Sequence, residues 1–146
     1  MSIEIYVLSD RQLASIAEWQ QAIDQEGFAL RLSTERPFDA LSGHLPAQWD
    51  DKHAGFECDH WEASDIIDAN PDVDFGRQWK HVLAFRFGGD FHALLGAYAA
   101  AAAYARATDG VVFDGEAGEV LTPEKAVQAA RDIERELPKM EERPTT

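Results

Sequence analysis

Residues 81–110 read HVLAFRFGGDFHALLGAYAAAAAYARATDG, and this stretch decides the fold class. Val82, Ala84 and Arg86 alternate with Leu83, Phe85 and Phe87, the period-two pattern of a strand with two distinct faces. Gly88-Gly89 turns the chain, and Asp90 is placed to cap a helix through its side-chain oxygen. The helix is written mostly in alanine: Ala97, Ala99 to Ala103, Ala105 and Ala107. Alanine is the best helix former, and its single methyl lets a helix lie close to its neighbours. This helix is therefore predicted to be central and buried, ending at Asp109-Gly110.

The flanking sequence supplies the other elements. Ile3, Ile5 and Val7 alternate with Glu4 and Tyr6 as a strand. Ser9 and Gln12 have capping-box spacing, which predicts a helix starting there, carried by Leu13, Ile16, Ala17 and Ile23 and ended at Gly27. Phe28, Leu30 and Leu32 read as a second strand. Residues 33–54, interrupted by Pro37, Gly43 and Pro46, read as an ordered loop with one helical turn, anchored by Phe38, Leu41, Leu45 and Trp49. A strand is predicted over residues 56–61 and a short helix over 63–69, stopped by Asn70-Pro71. Two short strands, 111–113 and 119–121, flank a hairpin-like turn. Thr122 then caps a last helix with Pro123 at its first position and Pro138 closing it. Ala126, Val127, Ala130, Ile133 and Leu137 form its inner stripe.

This order predicts an α+β protein: a two-layer sandwich with a mostly antiparallel sheet and helices packed mainly on one face. Nothing divides the chain, so one domain is expected over residues 1–138, with a flexible C-terminal tail at 139–146. The length of 146 residues suits that, and a hydrophobic content of 45% is a globular composition. With 27 Asp and Glu against 13 Lys and Arg, the net charge is −14. That balance argues against nucleic acid or an anionic membrane as partner. No apolar run approaches the roughly 18 residues of a membrane span. The first residues show no basic segment followed by an apolar one, and a single cysteine, Cys58, leaves no internal disulfide. A cytoplasmic location is expected.

No motif spells out a reaction or a cofactor. Cys58 and His60 share a strand face, but two residues of rise separate them by about 6.6 Å. Cys58 reads as a small buried hydrophobe. His60 with Glu62 or His53 lacks any recognised metal spacing. The run from Asp68 to Asp74 starts like a calcium loop, but Val73 stands where glycine is needed and Trp79 where a bidentate glutamate is needed. Gly88-Gly89 lacks the rest of any phosphate-binding fingerprint.

Charge is the informative local feature. Residues 50–74 carry Asp50, Asp51, Glu57, Asp59, Glu62, Asp65, Asp68, Asp72 and Asp74 against Lys52 alone. Trp49, Phe56, Trp61, Phe75 and Trp79 are interleaved with them. The bland reading is a solubilising face over core aromatics. The functional reading is a surface that steers a basic partner and anchors it on exposed aromatics.

One series of short motifs extends this. Gly43-His44-Leu45-Pro46, Ala54-Gly55-Phe56-Glu57 and Phe85-Arg86-Phe87-Gly88-Gly89-Asp90 come first. Tyr104-Ala105-Arg106-Ala107-Thr108, Gly110-Val111-Val112-Phe113-Asp114 and Leu121-Thr122-Pro123-Glu124 follow in order. The series resembles a group of small, acidic, largely uncharacterised bacterial proteins, some associated with polymorphic toxin systems as immunity proteins. The resemblance covers about residues 43–126 and implies a toxin-neutralising or similar protein-binding role, with no catalytic residues to carry over.

The leading expectation is thus a non-enzymatic module that occludes a basic toxin. Its binding residues are Trp49, Asp50, Asp51, Glu57, Asp59, Trp61, Glu62, Asp65, Asp68, Asp72 and Asp74. The rival is a small-ligand binder or enzyme with a histidine and carboxylate site in the 33–62 region, built from His44, His53 and His60. A homodimer that hides the aromatics is the third reading.

Overall fold

The computed structural model describes residues 3–141. The predicted strand at the centre of the sequence is β7 (His81–Phe87), and its two faces go to two different cores. Leu83, Phe85 and Phe87 pack into the larger core, and Val82 and Ala84 into a smaller one. β1 (Ile3–Ser9) pairs with it antiparallel along its whole length, Ile3 opposite Phe87 and Ser9 opposite His81. On the other side of β7 lies β6 (Phe56–Glu62), with β3 (His44–Leu45) beyond it. β8 (Val111–Asp114) and β9 (Glu119–Leu121) extend the sheet past β1. The order is β3-β6-β7-β1-β8-β9, and every pairing is antiparallel.

The alanine-rich segment forms α3 (Phe91–Thr108). Asp90 caps its start by accepting from the His92 amide at 2.8 Å, and Asp109 ends it in the left-handed conformation, φ 56°. From Ala97 to Ala105 every residue is buried. A helix buried all round must have neighbours all round. Here these are α4 (Pro123–Glu141), α1 (Ile16–Gln25) and the inner face of the sheet. A second sheet, β2-β4-β5 (Leu30–Leu32, Ala47–Trp49, Lys52–His53), also touches α3 and contributes to the same core. Only α2 (Ala63–Ala69), with the loop carrying Phe75, covers the opposite face of the main sheet. The α+β architecture and the one-sided placement of most helices follow the sequence reading.

Three boundaries differ from it. The first helix starts at Ile16 rather than near Ser9: Ser15 is the N-cap and accepts from Glu18 N at 3.0 Å. Ser9 still belongs to β1, buried, with its hydroxyl donated to the Arg11 carbonyl. The loop over 33–54 does hold one helical turn, at Phe38–Ala40, but three short strands follow it. Two- and three-residue strands are below what alternation can show. Pro138 lies inside α4, which continues to Glu141, because a proline this near the C-terminus removes a single late hydrogen bond. Residues 139–141, placed in the expected tail, belong to this helix, and residues 142–146 lie outside the described residues.

Close packing on α3 demands glycine at one point. A Cβ at Gly96 would lie 2.4 Å from the Ala54 carbonyl oxygen. Gly96→Ala should therefore lower stability by about 2 kcal/mol in urea unfolding, because overpacking outweighs the roughly 1 kcal/mol gained in helix propensity. A variant more stable than the parent would refute this contact.

The three tyrosines offer a second check. Burial is the main cause that raises each phenol, helped at Tyr6 and Tyr98 by hydrogen bonds to Glu4 and Asp114; Tyr104 is pushed up to about 12. Each folded value exceeds the ordinary one near 10. The stabilisation they provide is thus complete below about pH 10 and declines above it, the share of Tyr104 being lost as pH rises through about 12 and those of Tyr6 and Tyr98 at higher pH still. Tyrosinate absorbance should stay flat near pH 10 in the folded protein and appear there on adding denaturant.

Candidate functional site

The strand alternation of β6 divides the acidic segment. Phe56 and Cys58 point into the larger core, while Glu57, Asp59 and Trp61 point to the other face. Cross-strand pairing then builds that outer face row by row. Glu57 stands opposite Arg86, and Arg86 opposite Glu4; Asp59 stands opposite Ala84, and Ala84 opposite Tyr6. Ala84 is the small residue in this grid, so a shallow groove runs over it between Asp59, Trp61, Tyr6, Glu4 and Arg86. Trp61 leans on Tyr6, ring centroids 5.9 Å apart, and remains 37% exposed. Tyr6 stacks in turn on Phe113 and donates to Glu4 Oε2 at 2.6 Å.

Seven of the nine carboxylates belong to the elements that line or cover this face. Glu57, Asp59 and Glu62 lie on β6, Asp65 and Asp68 on α2, and Asp72 and Asp74 on the following loop. Among the described residues none of the seven forms an ion pair, and the nearby arginines are engaged elsewhere. Arg86 Nε holds Glu4 Oε1 at 3.1 Å, and Arg77 holds Asp10 at 2.6 Å with its guanidinium over Trp79. Among the described residues the seven acids on this side thus have no ion-pair partner.

The remaining expected residues lie elsewhere. Trp49 is buried at 6% exposure against Phe28, so its ring is not available as a surface anchor. Strand alternation explains this: Trp49 shares its inward face with Ala47. Asp50 and Asp51 form the β4–β5 turn, on the helical side of the main sheet and away from Trp61. Asp50 takes a positive φ of 54° there. Two other acids carry structural duties. Asp59 Oδ1 accepts from Ser42 Oγ at 2.9 Å and Gly43 N at 3.1 Å, and Asp74 Oδ1 accepts from Gly76 N at 2.8 Å.

The histidines of the rival reading have separate surroundings, and none is hydrogen-bonded to a carboxylate. His60 Nε2 lies 2.8 Å from the Phe38 carbonyl oxygen, its ring edge-on to Phe38. His44 packs over Gly55, and His53 is exposed on β5. Among the described residues no group of three or more His, Cys, Asp and Glu is placed to hold a metal ion. Cys58 is fully buried and its thiol is pushed up by burial, as a small core hydrophobe would be.

Glu4, Tyr6, Ala84 and Arg86 were missed as members of this surface. Their own alternation placed them on the less apolar face of their strands. That β1 pairs with β7, across most of the chain, left no local signal. The division of labour among the acids is testable by urea unfolding. Asp59→Ala should cost about 2 kcal/mol, since it strips charged acceptors from two donors, whereas Glu57→Gln should change stability by under about 0.5 kcal/mol.

Searches against protein-family models, curated proteins and solved structures found no match for this chain.

Proposed function

We propose that this chain is a protein-binding module whose outer sheet face docks a basic protein, in the manner of an immunity protein that occludes a toxin. The observation that carries this reading is the set of seven carboxylates on β6, α2 and the following loop, none of them in an ion pair among the described residues. They lie on the strand of the exposed Trp61 or on the elements that follow it in sequence. Such a face attracts lysine and arginine over distance, and an exposed indole amid charge supplies an anchor that water leaves on binding. Occlusion needs no catalytic group on this chain. The ordered motif series from Gly43 to Glu124 supports the toxin assignment in particular. Asp50, Asp51 and Trp49 are left out of the contact, since the fold turns them away from it.

The test isolates a partner by pull-down from the native strain, where a basic protein is expected, and follows its binding by surface plasmon resonance. Association should slow as salt rises, because surface charges are screened within about 8 Å at physiological ionic strength. Charge reversal at Glu57, Asp65 and Asp68 together should weaken binding at least about tenfold, mostly through the on-rate, while reversal at Asp50 and Asp51 should have little effect. A salt-independent on-rate, or equal losses from both sets, would overturn the proposed face.

A further inference from the structure

The small sheet presents a surface of opposite character on the other side of the molecule. Leu30, Leu32, Ala47 and Trp49 point from it into the core, so the residues between them face outward. Pairing sets Arg31 opposite Gln48 and Gln48 opposite His53, one side chain from each of three adjacent strands. Directly opposed residues have Cβ atoms about 5 Å apart, which makes this a row of three neighbouring donor groups. Beside the row the chain is small. Ser33 N bonds the Pro46 carbonyl at 2.9 Å, and a depression of about 260 Å3 opens there, lined by Arg31, Ser33, Pro46, Ala47, Gln48 and His53 together with Leu32.

The polar groups of this row are unspent. The side chains of Arg31, Gln48 and His53 form no hydrogen bond or ion pair with the described residues. In a chain with 27 acids, four of the nine arginines are already paired with a carboxylate: Arg77 with Asp10, Arg86 with Glu4, Arg106 with Glu26, Arg135 with Asp132. Asp50 borders a neighbouring depression with Arg31 but does not come within ion-pair distance of it. A guanidinium fork, an amide and an imidazole stand side by side next to the exposed ring of Pro46.

We propose that this depression binds a small organic acid, its carboxylate on Arg31 flanked by Gln48 and His53 and its apolar stem over Pro46. A planar carboxylate matches the two parallel N–H groups of arginine. Inorganic phosphate has no stem to lie over Pro46 and, as a dianion, meets more repulsion from a chain of net charge −14. The site is independent of the protein-binding face, lying on the helical side of the main sheet.

The test is a titration of 15N-labelled protein with benzoate, followed by amide shifts, with benzamide and inorganic phosphate as comparison ligands. Benzoate should give saturating shifts confined to Arg31, Ser33, Gln48 and His53. Arg31→Ala should weaken this about tenfold, and Asp50→Asn should strengthen it severalfold by removing a competing anion. Arg31 is exposed, so its replacement should leave folding intact, which the unchanged spectrum elsewhere verifies. Shifts that fail to saturate, that are matched by benzamide or by phosphate, or that survive in Arg31→Ala would each overturn the proposal.

Discussion

The larger core of this molecule is arranged around a helix whose central turns cannot reach water. α3 is buried from Ala97 to Ala105, so every neighbour must come close, and alanine is what allows it. Nearly featureless side chains give little packing specificity of their own, so larger residues supply it from outside. Trp19 does most of this. It is fully buried, donates its indole N–H to the Ala100 carbonyl at 2.9 Å, and meets Phe38, Phe56, Phe85 and Tyr104 at centroid distances of 5.6 to 6.5 Å. One indole thus ties α1, the 3-10 turn, two strands of the main sheet and α3 together. Aromatic pairs at such distances add to the gain from area burial.

That inner layer determines what the outer face can be. With α1, α3, α4 and the small sheet all on one side, only α2 and the Phe75 loop remain to cover the other. They cover the Leu8 and Val82 end, while Glu4 and Arg86 at the other end stay partly exposed. Glu57 and Asp59 lie beside that less covered end, Trp61 stands opposite Val82, and Asp65, Asp68, Asp72 and Asp74 lie on the covering elements themselves. An uncovered sheet face beside unpaired like charge weakens the folded state through self-repulsion, which is the physical reason to connect it with a partner of opposite charge. The small sheet carries the contrasting feature, an unpaired arginine row on the helical side.

Much of the fold was legible locally. The alternation in residues 81–87, the alanine run, Asp90, Thr122-Pro123 and the stop at Asn70-Pro71 each express a preference that acts within a few residues. The misread positions were those where local signals competed. Ser9 and Ser15 both fit an N-cap, and the pairing of β1 with β7 kept Ser9 in the strand. The short strands β3, β4 and β5 exist because partners hold them, a contribution that no single segment contains.

The candidate site divides along the same line. The sequence by itself determined the amount of negative charge, its concentration in residues 50–74, and the alternation that sends Glu57, Asp59 and Trp61 one way and Cys58 the other. These depend on composition and on a period of two, which survive any tertiary arrangement. Only the tertiary structure decided which carboxylates share a face, that Trp49 is interior and Trp61 is not, and that Glu4, Tyr6 and Arg86 join them. Those outcomes depend on strand order and on which layer each element packs against, and contacts between residues some eighty positions apart leave no periodic trace in the chain.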